Sequence, residues 1–76
     1  MEDVPMPDGS ILKDLQTMEM PFGKYKGRML RELPVSYVEW FARKGYPKGR
    51  IGILLQSLYE IKTNGLDYLL MDGRLI

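Results

Sequence analysis

Met20-Pro-Phe-Gly-Lys-Tyr-Lys-Gly27 is the stretch on whose reading the fold turns. It places two glycines, two lysines and two aromatics in eight residues, dense for a surface turn and odd for a core strand. Lys26-Gly27 suits a tight turn, because glycine accepts positive φ. Met20–Tyr25 and Arg28–Leu30 flank that pair, and the segment predicts a two-stranded β-hairpin. Gly23 in the first arm marks a bulge or a close backbone approach. A two-stranded ribbon is not stable alone, so it has to lie on helices, with Phe22 and Met29 as its anchors.

The helices are legible on either side. Ile11, Leu12, Leu15 and Met18 recur at helical spacing, which predicts a short amphipathic helix over 10–18 with Asp8 or Ser10 as N-cap and Pro21 as its stop. Ser36 and Glu39 read as an S-x-x-E capping box, and Val35 and Trp40 as a hydrophobic staple. That second helix carries Tyr37, Trp40 and Phe41, sets Arg43 and Lys44 against its C-terminal dipole, and ends at Gly45 in a left-handed C-cap. Tyr46-Pro-Lys-Gly49 is a turn. Ile51, Leu54, Leu55, Leu58 and Ile61 then form a full apolar stripe that Asn64-Gly65 terminates. Leu66-Asp-Tyr-Leu-Leu70 is too apolar for a loose tail and predicts one more helical turn, broken by Asp72-Gly73. The expected architecture is α+β: a flexible leader over 1–9, then one small domain over 10–76 in which a β-hairpin packs on three or four short helices.

Composition narrows the chemistry. A chain of 76 residues forms one small domain, buries roughly 60% of its unfolded surface and is correspondingly marginal. It has no cysteine and no histidine. The first absence fits a reducing cytoplasm; together they remove thiolate and imidazole metal sites and the Ser-His and Cys-His nucleophilic systems. No apolar run approaches the roughly 20 residues that span a membrane, and Met1-Glu-Asp-Val-Pro is acidic where a secretory signal is basic. A soluble cytoplasmic protein is the expectation.

The net charge of +1 hides a segregation. Residues 1–19 carry Glu2, Asp3, Asp8, Asp14 and Glu19 against Lys13, a charge of −4. Residues 20–50 carry Lys24, Lys26, Arg28, Arg31, Arg43, Lys44, Lys48 and Arg50 against Glu32 and Glu39, a charge of +6. Residues 51–76 return to −1. The central block reads either as a positive binding surface or as a solvated face balanced by the acidic N-terminal segment, which is also able to fold over it and mask it.

The search for reaction chemistry returns negatives. Gly23-Lys-Tyr-Lys-Gly27 lacks the G-x-x-x-x-G-K-[ST] spacing of a phosphate loop and has no hydroxyl for magnesium. Glu32 and Glu39 are explained by a strand end and by the capping box, and Asp67 and Asp72 have no third ligand. No catalytic residue, metal or small-molecule cofactor is expected. Trp40, Phe41, Phe22 and Tyr37 are expected in the core, since so small a domain has few large side chains for it. Tyr25, held between Lys24 and Lys26, is the ring expected to stack on a base.

Met20-Pro-Phe-Gly-Lys-Tyr-Lys-Gly-Arg28, Leu33-Pro34, Tyr37, Trp40-Phe-Ala-Arg-Lys-Gly45, Pro47-Lys-Gly49, Tyr59-Glu-Ile-Lys62 and Asn64-Gly-Leu66 together resemble a family of small bacterial proteins described as "Putative quorum-sensing-regulated virulence factor", of unknown function. The resemblance runs from about residue 10 to residue 70 and implies a regulatory context rather than a reaction. A looser pattern over residues 20–42 is similar to the C-terminal module of some DnaQ-like exonucleases. That similarity implies a module that holds nucleic acid beside a separate nuclease domain; the exonuclease acidic motifs themselves are absent here.

Two functions follow as expectations. In the first, Lys24, Lys26, Arg28, Arg43, Lys44, Lys48 and Arg50 contact the phosphates of DNA or RNA and Tyr25 stacks on a base. In the second, the N-terminal helix or the apolar C-terminal segment mediates protein binding or self-association, a source of stability for a small chain.

Overall fold

The computed structural model describes residues 9–70. Helix α1 spans Gly9–Thr17, α2 Val35–Lys44 and α3 Arg50–Thr63, with 3-10 turns at Leu30–Glu32 and Asp67–Leu70. Of the leader expected over 1–9, Gly9 instead opens α1, and residues 1–8, with the Asp8 cap, lie outside the described residues, as does the Asp72-Gly73 break.

The α+β expectation is overturned. Among the described residues there is no strand, only an isolated antiparallel bridge between Glu19 and Met29. The reason is local. Pro21 has no N–H to give a ladder, and Gly23 and Gly27 take φ of 80° and 90°, outside the extended range. Lys26 N–H donates to the Gly23 carbonyl at 3.1 Å and Arg28 N–H to the Tyr25 carbonyl at 2.9 Å, so residues 23–28 coil through successive tight turns. The loop is shut at its base by Leu30 N–H to Met18 O, Met20 N–H to Arg28 O and Gly27 N–H to Met20 O, each 2.8–2.9 Å. The expected second arm instead enters the Leu30–Glu32 3-10 turn. Met20, 1% exposed, anchors this loop; Phe22, the expected anchor, is 39% exposed.

The apolar periodicities hold. Leu54, Leu55, Leu58 and Ile61 of α3 are fully buried and meet Leu15 of α1, Val38 and Phe41 of α2, and Leu30, Leu33 and Leu70 in one core. Each such aliphatic side chain contributes about 1.5–3 kcal/mol by leaving water. Helix α3 lies chiefly against α2, and Gly52 permits it: a Cβ there would collide with the Pro47 carbonyl in the α2–α3 turn. Asn64 and Gly65 end α3 as expected. Leu66 N–H reaches back to the Ile61 carbonyl at 2.9 Å, and Asn64 Nδ2 bonds the Glu60 carbonyl at 2.7 Å. The 3-10 turn that follows seats Leu70 in the core, and Gln16 Nε2 donates to the Leu69 carbonyl to tie α1 to it.

The capping box does not form. Helix α2 begins two residues early, with Pro34 rather than Ser36 as N-cap at φ −64° and ψ 147°, and no side chain caps it. Tyr37 and Val38 N–H groups donate to the Pro34 carbonyl instead, and Ser36 and Glu39 are both exposed. Val35 and Trp40, each 46% exposed, form no buried staple. Gly45 ends the helix at φ 115° with its N–H on the Phe41 carbonyl.

Candidate functional site

The coiled 21–28 loop lies beside α2, and between them opens a groove of about 500 Å³ lined by Phe22, Gly23, Lys24, Tyr37, Trp40 and Phe41. Phe22, Gly23 and Lys24 come from the loop. Tyr37, Trp40 and Phe41 come from α2, where i, i+3 and i+4 spacing sets them on adjoining positions. Phe41 is buried and is the hub of the cluster. Trp40 meets it edge-on at 5.1 Å between centroids, Tyr37 at 5.3 Å and Phe22 at 6.5 Å. Such edge contacts add about 0.5–1.5 kcal/mol each beyond area burial.

Two rings of the cluster remain open to solvent. Trp40 is 46% and Phe22 39% exposed, so the expectation that both fill the core is corrected. Phe41 alone meets it in full, and Tyr37 is half-buried. The cause is tertiary: the core is reached along α2 by Val38 and Phe41, which turns Trp40 toward the flank of the helix where the loop leaves a gap. The signal available in the sequence was the Val38–Phe41 spacing, which defines the buried side and leaves Trp40 off it.

The loop sits close because Gly23 allows it: a Cβ on Gly23 would lie 2.7 Å from the Tyr37 hydroxyl oxygen. Tyr25 packs on Tyr37 at 4.6 Å, and the Lys24 ammonium lies 5.6 Å from the Tyr25 ring centroid. Burial, and then the neighbouring Tyr25, push the Tyr37 phenol above its ordinary pKa, so it is neutral at physiological pH.

The expected basic residues are distributed unequally around this groove. Lys24 lines it, and Lys26 and Arg28 are exposed on the same loop, Arg28 with its Nε 3.9 Å from Glu32. Arg43 and Lys44 are exposed in the last turn of α2, at i+3 and i+4 from Trp40. Lys48 belongs to the α2–α3 turn. Arg50 is drawn to α1: its Nη2 and Nε donate to Asp14 Oδ2 at 2.8 and 3.2 Å, and Nη2 reaches Ser10 Oγ at 3.4 Å. Tyr25 is half-buried with its ring already engaged, so the accessible stacking surfaces are Trp40 and Phe22.

Among the described residues no cluster of three or more carboxylate, imidazole or thiol groups could hold a metal ion, and no helix is long and apolar enough to cross a membrane.

No solved structure matches this chain. It is 57% identical over 51 residues to "Uncharacterized protein YpeB" of Escherichia coli strain K12, a span that covers 66% of this chain and 71% of that protein. The protein of the same description from Escherichia coli O157:H7 matches to the same extent. Residues 8–72 match the family described as "Putative quorum-sensing-regulated virulence factor", and the chain belongs to that family.

Proposed function

We propose that this protein is a non-catalytic module that binds nucleic acid along the 21–28 loop and the adjoining side of α2. The observation that carries the reading is the groove itself: two half-exposed rings, Trp40 and Phe22, in a lining that includes Lys24. A ring offers any base a stacking surface worth about 1–3 kcal/mol, and nearby cations attract the phosphates on either side of it. Lys26 and Arg28, exposed on the same loop, and Arg43 and Lys44, exposed in the last turn of α2, are the cations to extend that contact; Lys48 and Arg50 lie further along the chain, and Arg50 would have to release Asp14 to join them. The looser likeness of residues 20–42 to the C-terminal module of DnaQ-like exonucleases points the same way. The absence of His and Cys from the whole chain supports a binding rather than a catalytic role.

Fluorescence anisotropy with labelled single- and double-stranded oligonucleotides, at low and physiological salt, tests the reading. Binding should weaken steeply with salt, with a log–log slope of about −0.7 per phosphate contact on a single strand. A Lys24→Glu/Lys26→Glu variant should bind markedly less well, and an unchanged affinity would overturn the assignment.

A protein-interaction or self-association role is the second reading. It rests on Ile53 of α3 and Tyr68 of the C-terminal 3-10 turn, 50% and 54% exposed. A strictly monomeric species at high concentration in analytical ultracentrifugation would remove its homodimeric form.

A further inference from the structure

We propose that the Phe22–Trp40 groove receives an unpaired base, so that the module selects single-stranded nucleic acid over duplex. This inference rests on the nucleic-acid reading and adds to it the state of the strand. Phe41 floors the groove, and the two exposed rings approach that floor from different elements, Phe22 from the loop and Trp40 from α2. The lining is mostly apolar, its polar groups being Lys24 and the Tyr37 hydroxyl, so it offers little hydrogen bonding to a base edge and much surface to a base face. A volume of about 500 Å³ is ample for a nucleobase with its sugar. In a duplex both faces of each base are already covered, and extruding one costs at least as much as a single stacking contact returns. A single strand has no such cost.

Charge selects this occupant over an apolar peptide side chain. Lys24, Lys26 and Arg28 stand on the loop side, and Arg43 and Lys44 project from the turn that follows Trp40. Long side chains on a helix lean toward its N-terminus, which carries these two back toward the ring. The opposing carboxylates nearby are Glu39, exposed beside Trp40, and Glu32, which lies 3.9 Å from Arg28. Both elements that form the groove carry more exposed cations than carboxylates, as a phosphate–base–phosphate path requires.

Trp40 is the only tryptophan in the chain, so its intrinsic fluorescence reports on the groove. The full chain is titrated with a mixed-sequence single strand, the matching duplex, and the same single strand carrying consecutive abasic sites. The expected result is saturable quenching by the intact strand, with the duplex and the abasic strand at least tenfold weaker and leaving the emission unchanged. Trp40→Ala should lower single-strand affinity about tenfold in anisotropy while keeping the salt slope, and Trp40→Phe should restore most of it. Phe22→Ala provides a second, independent variant, and circular dichroism confirms the fold of each. Equal affinity for intact and abasic strands with unchanged Trp40 emission would overturn the base-in-groove inference and leave the nucleic-acid reading standing. Binding of none of the three would overturn both, and quenching by an aromatic peptide in their place would reassign the groove to protein recognition.

Discussion

The 21–28 loop rests on helix α2 at one point of very close approach: a Cβ on Gly23 would lie 2.7 Å from the Tyr37 hydroxyl oxygen. Gly23 also sits at φ 80°, where an L side chain is strained. Gly27 in the same loop has φ 90° but nothing within 4 Å of its Cβ position. Gly27→Ala should therefore cost about 1 kcal/mol from backbone strain, and Gly23→Ala about 1 kcal/mol more. Adding Tyr37→Phe to Gly23→Ala should recover most of that extra loss, read as urea midpoints in a double-mutant cycle. Equal destabilisation by the two alanines would show that the contact does not constrain the loop.

Neighbouring aromatics on α2 should behave oppositely. Trp40→Ala removes a half-exposed ring and should cost about 1–2 kcal/mol, whereas Phe41→Ala removes the buried hub and should cost about 3–5 kcal/mol. In a chain this small the latter approaches the whole folding free energy. Thermal unfolding followed by far-UV circular dichroism separates the two; comparable losses would return Trp40 to the core.

Gly52 is required for space rather than for φ. Gly52→Ala drives a methyl into the Pro47 carbonyl and should destabilise by about 3 kcal/mol, since that backbone is fixed between α2 and α3. Ile53→Ala, one residue on and 50% exposed, should fall within about 0.5 kcal/mol of the parent. Denaturant unfolding of the pair checks this, and a tolerated Gly52→Ala would show that the turn can move.

Asp14 and Arg50 join α1 to α3 through two hydrogen bonds at the surface. Exposed pairs of this kind contribute about 0.2–1 kcal/mol, so the coupling energy of Asp14→Asn with Arg50→Gln should lie in that range and shrink in 1 M salt. A coupling that persists in high salt would mark a hydrogen-bonded brace rather than an ion pair.

The phenols of Tyr37 and Tyr46 are both raised above their ordinary value, chiefly by burial; Tyr25 adds to the first, and Tyr59 and then Glu60 to the second. A raised folded-state pKa means that the native protein holds its proton where the unfolded chain has lost it. The associated stability is thus fully present below about pH 10 and is lost as pH rises through the folded-state values. Ultraviolet titration of phenolate should show two tyrosines ionising late, with unfolding stability falling over that alkaline window. Simultaneous ionisation of all tyrosines at the free value would contradict it.

Local pattern carried much of this fold. The stripe from Leu54 to Ile61, the Asn64-Gly65 stop, the Gly45 terminus and the short first helix, displaced by a single residue, are where period and backbone preference place them. The central loop does not form the expected hairpin, and the contrary signals, Pro21 and Gly23, are in the sequence. A glycine followed by Lys-Tyr-Lys-Gly is compatible with either a bulged ribbon or consecutive turns, and the choice depends on what the loop packs against. Here Met20 enters the core and Gly23 meets Tyr37, which favours the coiled form.

The candidate site divides the same way. The residue types are evident from the chain alone: a basic central block with clustered aromatics and without histidine or cysteine. Which rings face solvent was decided only by tertiary packing. Hydrophobic burial is non-directional, and a helix covered on the side of Val38 and Phe41 leaves Trp40 exposed however apolar it is. The groove exists because two segments far from extended pairing, a glycine-coiled loop and a proline-started helix, come to rest against each other around Phe41.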